Sequence, residues 1–403
     1  MVEHFKFLRR NQPLKLYFFA VPRLCLGIMG YWPVDVQNRA YFNFLVLGIG
    51  VATELHAGFS FLKQAQITLA LETLCPAVTS AVTLLKMFLM LRYRRDLAYV
   101  LARLNQLLFG LQSELGSRQE KRVIMRRHCM LAARLNFWPL STGFFTCTTY
   151  NLKPLLIALL LYRQGHEVVF NPPFNMTMPR LMLQSPFFPL TYMFIAYTGY
   201  VTIFMFGGCD AFYFEFCTHT AALFKSLQAD LRGLFQPYGD HLELSAEQCL
   251  HIERGLLMLI RRHNEIIELT IFFRQRYTII TLAHFLSAGV VIAISIIDLL
   301  TVSDNGLGTL LYVAFTVAAL SQLLIYCYGG TLVAESSARL AIVVGSCPWQ
   351  LCKPRQRRYI LLLILRSQRA VSMEVPFFVP LLATFASILQ TSGSIIALAK
   401  SFQ

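Results

Sequence analysis

Seven runs with few or no charged residues divide this chain, and each is long enough to cross a bilayer as a helix. They fall at about 40–62, 69–91, 129–151, 187–209, 277–301, 307–330 and 375–399. The last, Val375 to Ala399, spans about 25 residues, or roughly 37 Å as a helix. Glu54, His56, Glu72, Lys86 and Lys153 interrupt or flank the first three runs. The polar gaps have helical order of their own. Leu97, Leu101, Leu104, Leu107, Leu108 and Leu111 recur at helical spacing, as do Ile252, Leu256, Leu259, Ile260, Ile266, Ile267 and Leu269 among charges. Such faces need partners, so spans two to six are expected to extend past the membrane into a helical anchor. Residues 1–37 mix Phe5, Phe7, Leu14, Tyr17, Phe18 and Phe19 with Lys6, Arg9, Arg10, Lys15 and Arg23. They read as an amphipathic segment lying on the basic membrane face.

The predicted fold is therefore all-α and polytopic. It has an N-terminal amphipathic segment (1–37), six membrane helices with their anchor helices (38–374) and a seventh membrane helix (375–403). Composition agrees: 56% of the 403 residues are hydrophobic and 14% charged, too few charges to cover an aqueous surface of this size. A net charge of +15 raises nucleic acid as a partner, but the cations fall in the gaps between apolar runs rather than on one module. Membrane lipid is the partner they fit. With the N-terminus inside, 29 Lys and Arg lie on the cytoplasmic side and five outside. This gives a cytoplasmic N-terminus and an extracellular C-terminus, opposite to a G-protein-coupled receptor. The one Asn-x-Ser/Thr sequon, at Asn175, falls outside in this topology and is a candidate glycosylation site. No cleavable signal peptide is expected, and the first span acts as its own signal.

Catalytic motifs are missing. The sequence has no nucleophile elbow, zinc-binding pair, phosphate loop or dinucleotide fingerprint, so neither an enzyme nor a cofactor is expected. The ten cysteines form no C-x-x-C pair and suit membrane-buried packing, and the nine histidines are scattered. Lys86, Glu54, Asp210, Glu215, Asp298 and Glu335 are costly in lipid and mark interior or interfacial positions. The last four lie near predicted span ends, where headgroup placement is the simpler reading.

The outer halves of spans two, three, four and six set aromatic and aliphatic residues beside small hydroxyls. These are Thr79, Ser80 and Thr83; Phe144, Phe145 and Thr148; Tyr192, Ile195 and Thr198; and Tyr312, Phe315 and Thr316. An apolar cavity with a few hydroxyls suits a small, weakly polar ligand, and the aromatic side chains point to aromatic or heterocyclic volatiles. Ordinary helix packing is the alternative. In the last span, Ser387, Gln390, Thr391, Ser392, Gly393 and Ser394 break the apolar run, as either a packing face or the lining of a path.

The C-terminal third resembles the insect odorant receptor family. The resemblance lies in Tyr326-Cys-Tyr-Gly-Gly-Thr331 with Glu335-Ser336, in Arg357-Arg358 through Arg366-Ser-Gln-Arg369, and in Pro376-Phe-Phe-Val-Pro380. Thr384-Phe385 and Ser392-Gly-Ser394 extend it, and the chain is similar to a ligand-tuning subunit rather than the co-receptor. The resemblance implies a heterotetrameric, odorant-gated, non-selective cation channel made with co-receptor chains in the plasma membrane of olfactory neurons. The last helix would line its pore. By register the gate falls at Leu398, with Gln390 and Ser394 along the path and Lys400 and Ser401 at the mouth. Two departures stand out: Ile395-Ile396 where the family often has Tyr-Phe, and the positive Lys400. Four such lysines would oppose cations, which favours mixed assemblies. A gustatory receptor-type channel and a secondary transporter are the alternatives. The first lacks its expected spacing in the last span, and the second lacks a visible repeat.

Overall fold

The computed structural model describes residues 12–110, 117–165, 172–238, 243–301 and 306–401. They form α1 (Leu14–Tyr17), α2 (Ala20–Met29), α3 (Asn38–Lys63), α4 (Ile67–Arg92), α5 (Arg94–Phe109), α6 (Arg118–Arg163), α7 (Phe188–Phe235), α8 (Ala246–Thr301), α9 (Gly306–Gly345), α10 (Pro354–Gln368) and α11 (Leu382–Ser401). Among the described residues, six of these (α3, α4 and α6 to α9) are long and apolar enough to cross a membrane. The chain is a multi-pass, all-α membrane protein.

Four helices run well past the bilayer. Helices α6, α7, α8 and α9 have 46, 48, 56 and 40 residues. At about 1.5 Å per residue, 46 residues reach roughly 69 Å, twice the hydrocarbon thickness. Their extensions meet α5 and α10 at the end where most of the cations lie. Helix α7 is the axis of this region: from Gly208 to Leu231 all but Lys225 are buried. A helix hidden on every side is a core element.

Polar ties hold the basic end. Lys121 Nζ and Arg262 Nη1 contact the two carboxylate oxygens of buried Asp230 at 2.7 and 3.3 Å. Gln228 Nε2 donates to the Ser336 carbonyl at 2.7 Å, and Gln356 Nε2 to that of Cys249 at 2.5 Å. Arg274 pairs with Glu374 at 2.6 Å, and Arg276 with Asp96 at 2.9 Å while lying 3.7 Å over the Phe272 ring. Glu215 is also interior. It is fully buried and 3.4 Å from Asn136 Nδ2, not at a headgroup as its position near a predicted span end implied. The misplacement has a simple cause: α7 does not end where its apolar run ends.

The N-terminal segment differs from expectation in what it covers. Tyr17, Phe19, Val21, Cys25 and Leu26 are buried against protein rather than turned to the membrane surface. Gly208 on α7 admits the approach, since a Cβ there would meet Cys25 Cβ at 2.9 Å. At the aqueous end of the bundle, burying one such side chain is worth about 1.5–3 kcal/mol. Gly30, at φ +82°, ends α2 and turns the chain into α3. Tyr31 then donates to the Ala40 carbonyl at 2.8 Å, and burial pushes its phenol pKa up, keeping it a neutral donor.

The last helix starts later than its apolar run. Pro376 and Pro380 each lack the N–H that a helix interior needs, and Val375 and Phe378 exchange backbone hydrogen bonds of 3.1 and 3.3 Å around a turn. The Leu382 N–H donates to Thr331 Oγ1 at 2.9 Å, so α11 spans 20 residues. Gly330 makes the junction possible, because a Cβ there would lie 2.0 Å from the Pro380 carbonyl oxygen. Gly330→Ala is expected to cost about 1–3 kcal/mol, read as a lower thermal midpoint in detergent. Gly345→Ala is the control, since nothing lies within 4 Å of its added Cβ. Its midpoint should hold or rise.

Candidate functional site

Two adjoining cavities lie inside the membrane part of the bundle, each about 70 Å³ and sharing Thr79, Thr146 and Ile203. One water needs only about 10–15 Å³. The outer cavity is lined by Glu54, Pro76, Ser80, Cys147, Tyr150, Phe174, Met176, Thr198, Gly199 and Thr202. The deeper one is lined by Pro139, Gly143, Phe206, Gly207, His284, Ser287, Ala288, Val291, Ala318, Ala319 and Gln322. Pro76 in α4 and Pro139 in α6 each remove an intrahelical donor, and each lines a cavity.

The cover of the outer cavity comes from the segment between α6 and α7. Phe174 stacks on Tyr150 with centroids 5.5 Å apart, and Gly199 lets the ring approach, since a Cβ there would lie 3.1 Å from it. Three hydrogen bonds pin this cover to α3 and α4. Thr177 N–H donates to the Thr53 carbonyl at 3.1 Å, His56 Nδ1 meets Thr177 Oγ1 at 3.0 Å, and Asn175 Nδ2 donates to Thr73 Oγ1 at 3.2 Å. The sequon residues therefore hold the cover. Asn175 Nδ2, the atom a glycan would use, is already engaged within the chain.

Beneath the deeper cavity sits a buried ion cluster. Lys86 Nζ on α4 donates to Asp210 Oδ1 on α7 at 2.5 Å, lies 3.4 Å from His284 Nδ1 on α8 and stands 3.4 Å over the Phe206 ring. Tyr326 on α9 donates to the same Asp210 oxygen at 2.7 Å, and its ring stacks on His284 at 4.3 Å. Lys86 and His284 are 0% and 1% exposed. Asp210 is thus interior rather than at a headgroup, and it supplies the counter-charge that Lys86 needs in lipid.

The expected ligand residues separate in space. Thr79, Ser80 and Thr198 line the outer cavity, and Thr79 lines the deeper one too. Thr83 is buried one turn further along α4, its hydroxyl donating to the Thr79 carbonyl at 2.7 Å. Ile195 is buried and accepts from Thr198 Oγ1 at its carbonyl, at 2.7 Å. Phe144 and Phe145 are exposed on α6, Phe145 by 72%. Phe144 packs on Tyr200, whose hydroxyl meets Thr148 Oγ1 at 3.2 Å. Tyr192 donates to the Asn151 carbonyl. Thr316 is half-buried on α9, and the side chains of Tyr312 and Phe315 lie outside the described residues. Sequence reading missed His284, Phe206 and Gln322, which come from helix faces that carried no aromatic-and-hydroxyl signature.

Of the expected path residues, Gln390 and Ser394 are exposed on α11, with Ser387 and Thr391 beside them. Phe385 and Ile388 instead pack against the core. Ser394 and Thr391 donate to the Gln390 and Ser387 carbonyls at 3.0 and 2.9 Å, the usual way such groups are satisfied in a membrane helix. The side chains of Leu398, Lys400 and Ser401 lie outside the described residues.

A family model described as 7tm Odorant receptor matches residues 66–393. The chain is 65% identical to Odorant receptor 10a of Drosophila melanogaster, covering all of both chains. It is 33% identical to Odorant receptor 24a of the same fly, over 98% of this chain and 99% of that one. Its fold is similar to that of the insect olfactory receptor OR5 from Machilis hrabei, with a TM-score of 0.76 at 15% identity over 97% and 99% of the two chains. The same receptor in complex with eugenol gives a TM-score of 0.75 over the same shares.

The ion cluster yields a stability prediction. Lys86→Met or Asp210→Asn alone strands a buried charge and is expected to cost about 3–5 kcal/mol. The double variant Lys86→Met/Asp210→Asn should cost clearly less than the sum. Thermal unfolding of the three variants in detergent, read as a double-mutant cycle, checks this.

Proposed function

The chain belongs to the 7tm odorant receptor family, and from that premise we propose that it is the ligand-tuning subunit of an odorant-gated cation channel. It assembles with co-receptor chains in the plasma membrane, and small volatile odorants held in the two cavities open it. Thr79, Ser80 and Thr198 contact the ligand, and α11 lines the ion path with its gate at Leu398.

One observation carries the reading. The polar side of α11, with Ser387, Gln390, Thr391 and Ser394, faces away from the chain's own bundle. A lone chain would present that side to lipid, where the Gln390 amide, unlike the Thr391 and Ser394 hydroxyls, has no bond to its own helix among the described residues and water is scarce. Facing other subunits around a wet path, the same residues are at home. The cavities add a second support, because they join an apolar wall to a few hydroxyls, the usual make-up of a small-molecule site. Lys400 favours mixed assemblies, since fewer copies of the positive charge then meet the cation.

Whole-cell recording tests the assembly. Volatiles are expected to evoke cation current when the chain is expressed with an insect odorant co-receptor, and none when it is expressed alone. Current from the chain alone would refute the mixed assembly.

The cavity is tested by filling it. Thr79→Leu, at the point common to both cavities, should raise the half-maximal odorant concentration about tenfold or more. Phe145→Ala on the outer surface should leave it within about twofold. Equal effects of the two changes would remove the cavity from the mechanism.

A further inference from the structure

Most polar groups on the deeper cavity are already committed. Thr79, Thr146 and Ser287 donate their hydroxyl protons to the carbonyls of Cys75, Thr142 and His284 on their own helices, at 3.4, 2.9 and 2.9 Å. Two lining residues keep unmet capacity. Gln322 on α9 makes no side-chain hydrogen bond among the described residues. His284 Nε2 is buried without a partner.

The tautomer of His284 follows from its neighbours. Lys86 is a donor only, and Nδ1 lies 3.4 Å from its ammonium. The ammonium has three protons for three neighbours: Asp210 Oδ1, the Phe206 face and Nδ1. The other group facing Nδ1, Asp210 Oδ2, lies 3.7 Å away, beyond hydrogen-bond reach, so Nδ1 is the acceptor of the Lys86 proton and the imidazole proton sits on Nε2. The ring is fixed by stacking on Tyr326, which lies one turn along α9 from Gln322. Two residues with uncommitted N–H donors, on α8 and α9, thus line one cavity.

We propose that His284 and Gln322 form a hydrogen-bond-donor site in the deeper cavity that selects volatile ligands carrying a carbonyl oxygen. One carbonyl oxygen has two lone pairs and can accept from both donors. A hydrocarbon of the same shape leaves both unmet, and sites built to hydrogen-bond discriminate strongly against analogues that lack the group. The inference rests on the cavity being the odorant site, but not on the channel.

The test uses acetophenone and ethylbenzene, which differ by an oxygen at one carbon. Each is supplied to the purified full chain in detergent at a free concentration fixed by headspace equilibrium. The rise in thermal midpoint gives its affinity without any current. The ketone should bind about tenfold tighter. Gln322→Leu and His284→Phe should each shrink the gap to about threefold or less, while His284→Gln, which keeps an N–H donor, should preserve much of it. If His284→Phe does not fold, Gln322→Leu decides, since it touches no ion pair. Equal binding of the two probes, binding of neither, or an intact gap in Gln322→Leu would overturn the proposal. Selective ketone binding by a chain that gives no current with the co-receptor would leave the proposal standing and overturn the channel reading.

Discussion

An ammonium group inside a lipid-embedded bundle must be answered on every side, and Lys86 is answered by four helices. Its own helix α4 carries it, α7 supplies Asp210 and the Phe206 face, α8 supplies His284, and α9 adds Tyr326 on the shared carboxylate. Taking one such ion out of water costs several kcal/mol even after relaxation. That cost is offset only while all the partners hold their places. The cluster therefore fixes the relative height of α4, α7, α8 and α9, and it does so directly beneath the deeper cavity. Cavity walls elsewhere depend on van der Waals packing, which in lipid has no hydrophobic drive behind it.

A second ionic knot does the same work beyond the membrane. Asp230 on α7 joins Lys121 on α6 to Arg262 on α8, and Arg262 also donates to the Leu107 carbonyl at 3.2 Å. Two knots on one 48-residue helix make α7 a stiff axis. A ligand entering the outer half thus meets one wall that is held at both ends. The less tethered elements are the cover over the outer cavity and α11, which among the described residues packs mainly against α8 and α9.

How much of this could be read from the chain alone depends on the range of the forces involved. The spans were legible because apolar length is a local property, and family membership was legible because the C-terminal third carries a dense set of matching residues. The start of α11 was not, although Pro376 and Pro380 gave the signal: an uncharged run and a helix are different things. Asp210 and Glu215 were set at the membrane edge because α7 was cut at the end of its hydropathy, whereas it continues as a protein-buried helix. The cavity cover could not be foreseen. Its bond from Asn175 to Thr73 joins positions 102 residues apart, and sequence reading saw only a sequon there. His284 was one scattered histidine among nine until Lys86 gave it a role.

The same contacts define what a ligand has to do. Tyr326 stacks on His284 and meets Phe285 edge-on at 6.1 Å, and Phe285 packs against Phe378 at 4.5 Å, just ahead of α11. Gly330, four residues on from Tyr326, touches the Pro380 carbonyl. Any shift of α9 relative to α8 at the cavity is therefore felt at the root of the last helix by direct contact. Adjacency alone does not open anything, however. A ligand shifts a two-state equilibrium only by its difference in affinity for the two states, and moving it from 1:99 to 99:1 takes about 10⁴-fold, or roughly 5.5 kcal/mol. A weakly polar volatile in a small cavity has few contacts from which to draw that difference. A buried hydrogen bond that is made in one state and lost in the other is among the larger single contributions open to it. The uncommitted donors of the deeper cavity, next to the stacked pair that leads to α11, are well placed to supply it.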